Sequence, residues 1–434
     1  MSVSAQILVV SNNEEAALTK CLTGFGYAAS RMDYSKFKSE KIVSPLYDLI
    51  LFLNNDGRDQ LSGLKEALTE QTSQILIIGE NPFSDSIQSI PTTFCDMELE
   101  RRLASLVRLQ VMKREFIRRS ETTALYGLKT KDLPDPVSDE ISKNILLVGT
   151  ESDVLGQVML QLDRGTQINV CQNAVSAMDE LQSTQYDAMI LLGAGQGDVN
   201  LRFANDVRAN SRLFNLPIIF ILDHESNRQA AYIHGASDIV LNPSEMKNLR
   251  VRTFLHINQA DYRFSLQKLF KTSKPLPVTD GPTDLYSFGF MRAHLNNLIS
   301  DHRAEDKYLT IATLDITNLG AINEEFGYAA GDQVLRQIGN IISFLVRGED
   351  ICCRYEGNKF LIALPGTGID QARFALNRVY GVTKTTEFAV AGQDKPVAAT
   401  VEMGLAEMAE QETVEETIRR CKGVSMVTTQ AAAS

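Results

Sequence analysis

Arg347 and Asp350, in Arg347–Gly348–Glu349–Asp350, together match two edges of a guanine base. A guanidinium fork donates to both O6 and N7 of guanine. A carboxylate accepts from its N1–H and N2–H as a pair. The pattern is short, and a second copy, Arg303–Asp306, reads as a solvated helix end. The competing reading of Arg347 and Asp350 is an exposed ion pair worth under ~1 kcal/mol. Arg354 is a weaker neighbour. Arg378 lies in Gln371–Tyr380, where Ala372, Ala375, Leu376 and Val379 form the apolar face of a helix, so Arg378 is expected on the exposed side.

The elements that hold these residues come in three blocks. The chain has 434 residues, enough for about three domains at roughly 150 each. Ile7–Val10 (ILVV) returns as Ile145–Val148 (ILLV), and Tyr47–Leu53 (YDLILFL) returns as Tyr186–Leu192 (YDAMILL) at nearly the same offset. Two landmarks at one offset indicate two copies of one unit. Short all-apolar strands alternate with amphipathic stretches, and strands buried on both faces imply a parallel sheet covered by helices. Each unit is therefore expected to be a doubly wound α/β domain, with ligands at the carboxyl ends of its strands. The polar stretch Leu128–Ser142 and the proline-rich Lys271–Pro282 separate the blocks. The expected division is 1–120, a linker at 121–143, 144–272, a linker at 273–282, and 283–434.

Composition narrows the class. Apolar residues make up 44% and charged residues 22%, ordinary for globular domains. A formal charge of −11 argues against broad nucleic-acid binding, so no DNA partner is expected. The basic stretch Lys113–Arg119 reads as the solvated face of a helix. No apolar run approaches the ~20 residues of a membrane span, and Met1–Val10 does not read as a secretory leader. The six cysteines are scattered. Cys352 and Cys353 point to opposite faces of one strand, and reduced thiols suit a cytoplasmic protein.

The repeated unit resembles the receiver domain of two-component response regulators. Receiver chemistry needs an acidic pair after the first strand, an acceptor Asp after the third, and a Lys. Here those positions fall on Ser11–Asn12, Leu53 or Asn54, and near Thr92 in the first copy. In the second they fall on Gly149–Thr150, Leu192–Gly193 and Asn242. Asp56 lies just beyond the acceptor position and serves only if the loop is shifted; Asn54–Asn55–Asp56–Gly57 otherwise reads as a turn. The third block resembles the GGDEF domain of diguanylate cyclases. The likeness is carried by Asp315–Ile316–Thr317, by Ala321–Asp332 and by Arg347–Phe360. The whole order, two receivers then GGDEF, resembles one family of response regulators. The expected fold class is α/β: two doubly wound (βα)5 receiver-like domains followed by an α+β, nucleotide-cyclase-like GGDEF domain.

The resemblance implies the rest. Gly-Gly-[Asp/Glu]-Glu-Phe becomes Glu356–Gly357–Asn358–Lys359–Phe360. Glu356 would repel phosphates, Asn358 replaces a metal carboxylate, and Lys359 replaces a Glu. The expectation is that no residue is catalytic, that the protein is not an enzyme, and that it has no Mg²⁺ requirement. Asn323 and Asp332 fall on the family's guanine-contacting positions, and equally on structural ones, with Asp332 starting a helix. Arg347, Asp350 and Arg378 fall on the family's product site, with five residues between Asp350 and the turn. The implied ligand is cyclic di-GMP, as an intercalated pair bridging to another surface. The implied role is an effector or adaptor that recruits partner proteins of a cell-cycle or proteolysis pathway, at a cell pole, as a homodimer through its receivers. The alternatives are a nucleotide-independent scaffold and a weak cyclase.

Overall fold

A computed structural model describes residues 4–13, 15–40, 47–54, 61, 73–83, 86–134, 142–150, 152–162, 165–193 and 198–423. The first sheet holds β1 (Ala5–Val10), β2 (Tyr27–Met32), β3 (Leu49–Asn54), β4 (Gln74–Gly79) and β5 (Gln88–Ile90) in the order β2-β1-β3-β4-β5, all parallel. The second holds β6 (Lys143–Val148), β7 (Thr166–Cys171), β8 (Ala188–Leu192), β9 (Ile218–Leu222) and β10 (Asp238–Leu241) in the order β10-β9-β8-β6-β7, again all parallel. From its other edge this is the same order, that of flavodoxin-like sheets. The sequence repeat is thus a repeat of topology. Strands β3, β8 and β9 are buried along their whole length, as near-continuous apolar runs require when helices cover both faces; the one polar residue among them is Asn54, at the end of β3.

Helices α1 (Ala16–Gly24), α2 (Tyr34–Glu40) and α3 (Asp96–Ala124) belong to the first unit. The second carries α4 (Ser152–Leu162), α5 (Ala174–Ser183), α6 (Asp198–Ala209), α7 (Arg228–Ile233) and α8 (Leu249–Thr272). The third block has α9 (Phe288–Ala304), α10 (Leu319–Phe326), α11 (Tyr328–Leu345), α12 (Ile369–Thr385) and α13 (Val414–Gly423). Its strands are β11 (Tyr286–Ser287), β12 (Leu309–Ile316), β13 (Ile351–Glu356), β14 (Lys359–Pro365), the ribbon pair β15 (Glu387–Phe388) and β16 (Val397–Ala398), and β17 (Val401–Glu407). The main sheet runs β11-β13-β14-β12-β17, antiparallel except where β11 meets β13. Cys352 and Cys353 enter the cores on opposite faces of this sheet, as the alternation of a strand demands. No helix among the described residues is long and apolar enough to cross a membrane.

Helix α3 joins the three blocks. Leu99, Leu103, Leu106 and Val107 close the first core. One turn on, Leu109, Met112 and Phe116 pack against Tyr262, Leu266 and Phe270 of α8. Lys113–Arg119 is therefore not a solvated face. Glu115 is fully buried and Arg119 is 6% exposed, while Ile117 is 39% exposed. The charges can be buried because each has a partner. Arg114 pairs with Asp48 at 3.0 Å and Glu305 at 2.9 Å, Arg118 with Asp301 at 2.8 Å, and Arg119 with Glu115 at 2.7 Å. Buried charge is tolerable only in such company.

Candidate functional site

Helix α11 ends at Leu345, and the chain turns through Arg347–Asp350 into β13. The turn closes on itself. Asp350 N–H donates to the Arg347 carbonyl at 3.1 Å, and Arg347 N–H donates to Asp350 Oδ2 at 2.8 Å. Asp350 is only 7% exposed. Its Oδ1 is buried with no hydrogen-bond partner among the described residues. Burial first, and then neighbouring Glu349, pushes its pKa up to about 7 against the pull of Arg347. Arg347 and Arg378 are both exposed. Arg378 Nη2 donates to the Leu345 carbonyl at 2.9 Å, which fixes the α12 arginine beside the turn. The three residues singled out by sequence thus share one site.

That site is one wall of a groove of about 740 Å³ between the second and third blocks. Phe344, Arg347, Asp350 and Arg378 face Arg208 and Phe214 of the second unit, with Phe270 and Lys271 of α8 also lining the cleft. Arg119 donates to the carbonyls of Glu349 at 2.9 Å and Asp350 at 3.1 Å, and its guanidinium lies 4.5 Å from the centre of the Phe270 ring. Gly348 lets α8 come close: a Cβ there would stand 3.0 Å from Phe270 Cδ2. Arg119, Arg208 and Lys271 escape a motif search because they lie far away in sequence and carry no pattern. For Arg119 one signal exists. It follows Phe116 by three residues, which places it on the apolar stripe of its helix.

The hairpin forms a second cluster. Gly357 and Asn358 make the turn between β13 and β14. Asn358 Nδ2 donates to Asp315 Oδ1 at 2.6 Å and to the Ile316 carbonyl at 3.0 Å. Lys359 Nζ pairs with Glu356 Oε2 at 3.0 Å and stands 3.9 Å from Asp315 Oδ2. Arg354 donates from Nε and Nη2 to the Gly357 carbonyl at 2.9 and 2.6 Å, so it braces this turn and does not join the groove. Asn323 lies on α10 with Oδ1 against Gly331, where a methyl group would collide with it. Asp332 is exposed and lies in the second turn of α11, which begins at Tyr328, so it does not start that helix.

Residues 278–424 match the model of the family described as "Diguanylate cyclase, GGDEF domain". The third block is a GGDEF domain. The chain is also homologous to the response regulator PleD of Caulobacter vibrioides, 27% identical over 237 residues, covering 54% of this chain. The match spans about half of PleD's length, 52%. Diguanylate cyclase DgcP of Pseudomonas aeruginosa is 28% identical over 128 residues, 30% of this chain and 19% of that protein. Among solved structures, the GGDEF domain of DgcB from Caulobacter crescentus in complex with c-di-GMP aligns with a TM-score of 0.33 and 21% identity, covering 35% of this chain and 88% of that one.

The match corrects one expectation. The replacements at Glu356, Asn358 and Lys359 suggest a protein that is not an enzyme, whereas the GGDEF family and its named relatives are diguanylate cyclases and point to an enzyme. The turn itself shows the physical weakness of that expectation. It treats Glu356 as an unbalanced charge against phosphates, and Lys359 balances it. The Mg²⁺ that the GGDEF domain implies finds a poor donor set here. Asp315 is the one carboxylate of β12, its Oδ1 already accepts from the Asn358 amide, and the Lys359 ammonium approaches its Oδ2; among the described residues no three His, Cys, Asp or Glu side chains come together as a metal site would need. Hard cations want several free oxygens. The residues present do not fit a divalent cation. Asp56 lies outside the described residues.

Proposed function

We propose that the groove beside the GGDEF domain binds cyclic di-GMP, and that the protein acts as an effector whose loaded form recruits partner proteins. The observation that carries this reading is the unpartnered Oδ1 of Asp350 in an otherwise cationic cleft. An unmet buried acceptor costs roughly 1–3 kcal/mol, and the paired N1–H and N2–H of a guanine relieve that cost. Arg347 supplies the fork for the other edge of the base. Arg378, Arg208 and Lys271 offer counter-charge to two phosphates from both sides of the cleft. The volume suits a small-molecule ligand, for which sites run roughly 300–1,000 Å³. A ligand held between Arg347 and Arg208 ties the GGDEF domain to the second unit. A fixed arrangement of receiver-like units is a surface that a partner can read.

The test is calorimetric titration of the full chain with cyclic di-GMP, wild type beside Arg347→Ala. Binding by the wild type that falls at least tenfold in the variant supports the site. Absence of binding to the wild type at low salt overturns it. Partner capture that is the same with and without ligand would leave the site and remove the effector role.

A further inference from the structure

The cations explain how phosphates and one guanine edge are held, but they leave two aromatic rings unexplained. Phe344 is 78% exposed and Phe214 is 45% exposed, and both line the groove. They come from opposite walls, Phe344 from the last turn of α11 in the GGDEF domain and Phe214 from the loop after α6 in the second unit. Neither ring is there by slack in the chain. Phe214 N–H donates to the Asn210 carbonyl at 2.9 Å, and its own carbonyl accepts from Arg208 Nη1 at 2.9 Å. Arg208 also binds the Leu216 carbonyl at 2.6 Å and the Gly235 carbonyl at 2.9 Å, so the loop is clamped to the body of the unit. Phe344 lies three residues before Arg347, directly ahead of the Leu345 carbonyl that Arg378 grips. Large apolar rings left in water at a polar cleft, on main chain fixed beside it, gain solvation free energy when something flat covers them.

We propose that Phe344 and Phe214 are base-stacking platforms, one on each wall, that make the groove selective for a ligand carrying planar bases on both sides of its phosphates. This inference rests on the cyclic di-GMP reading of the same groove. Arg347 and Asp350 read the edge of a base, and the rings read its face. Base–aromatic stacking is tolerant of base identity. The two rings therefore select dinucleotides over simple phosphates, while Arg347 and Asp350 select guanine. Because the rings sit on different blocks, a ligand stacked on both also sets the spacing between them.

The chain contains no tryptophan, so a substituted one reports alone. Phe344→Trp and Phe214→Trp are titrated with cyclic di-GMP and with pyrophosphate, and wild type, Phe344→Ala and Phe344→Tyr are titrated by calorimetry. Expected are quenching of both tryptophans by cyclic di-GMP and not by pyrophosphate, about a tenfold loss of affinity in Phe344→Ala, and recovery in Phe344→Tyr. Wild-type binding with neither quenching nor loss in Phe344→Ala overturns the stacking role and leaves the binding site standing. No wild-type binding overturns both. Equal quenching by pyrophosphate shows loop movement without stacking and also overturns it.

Discussion

Asp350 spends one carboxylate oxygen on the backbone of Arg347, three residues earlier, and keeps the other buried and unmet. Its folded pKa of about 7 lies above its usual 3.8 because burial and Glu349 disfavour the charge. A group raised in this way stabilises the fold below about pH 4, and that contribution is lost as pH rises through about 7. At pH 8 the ionised carboxylate costs stability. Asp350→Asn keeps an acceptor for the Arg347 N–H and removes the charge. It is expected to be more stable than wild type at pH 8, on the order of 2–4 kcal/mol, and nearly equal to it at pH 4. Cyclic di-GMP affinity should fall more than tenfold. Urea unfolding at the two pH values checks this; equal differences at both would show that Asp350 titrates normally.

Gly348 is the contact through which the second unit reaches the motif. Phe270 packs against it within a cluster that includes Phe116 and Leu266, so α8 is held close to the turn. Gly348→Ala is expected to overpack this contact at about 1–3 kcal/mol and to push α8 away from the turn. The groove should widen and ligand affinity should fall although Arg347 and Asp350 are untouched. A variant with wild-type affinity and wild-type melting would mean that α8 gives way freely.

Much of this was legible in the chain. The two doubly wound sheets follow from ILVV/ILLV and YDLILFL/YDAMILL, because an all-apolar strand has one comfortable place in an α/β fold. Arg347, Asp350 and Arg378 came together because each is fixed by local structure: a turn, its own carboxylate, and a helix face. What was illegible depends on the packing of distant blocks. The basic run Lys113–Arg119 looks solvated until Asp48, ahead of β3, and Asp301 and Glu305, at the end of α9, are brought to it. Arg208 and Phe214 belong to the groove only because the second unit lies against the third. The pairing of Glu356 with Lys359 was available from spacing across a two-residue turn, and reading the two positions one at a time concealed it.

Two buried histidines make the fold sensitive to acid. His256 is held down to about 4 by burial and then by Arg102; His302 is held down to about 4 by burial and then by Arg118. Both are placed as neutral acceptors. His302 Nε2 accepts the Gly366 N–H at 3.2 Å while its Nδ1 meets the Leu298 carbonyl at 2.8 Å, and His256 Nε2 accepts from Arg102. A depressed histidine contributes stability above its usual 6.5 that is lost as pH falls through about 4, roughly 3 kcal/mol for each. Asp350 works in the opposite sense over this window, so the Asp350→Asn background isolates the effect. Its melting temperature is expected to drop steadily from pH 6.5 to 4, and His302→Gln should flatten part of that slope. A flat profile would place both rings in solvent.

Glu115 ties α3 to the GGDEF domain. Its Oε1 lies 2.9 Å from His294 Nε2 of α9 and accepts from Arg119 Nε at 2.7 Å, and its Oε2 accepts from Arg118 Nη1 at 2.8 Å. Burial alone would raise its pKa, but His294, Arg119 and Arg118 outweigh burial and hold it well below the usual carboxylate range. The pair it makes with Arg119 continues into the Glu349 and Asp350 carbonyls, so the same carboxylate steadies the proposed ligand site. Glu115→Gln preserves the shape and leaves the buried Arg119 guanidinium without its carboxylate, while Arg118 keeps Asp301. Breaking a buried pair from one side costs about 3–5 kcal/mol. The loss falls on the junction and spares each block's own core, so wild type should unfold in one step and Glu115→Gln in two, with the GGDEF domain separating first. Calorimetric scanning distinguishes these outcomes. A single transition lowered by less than a degree would show that the junction does not depend on this charge.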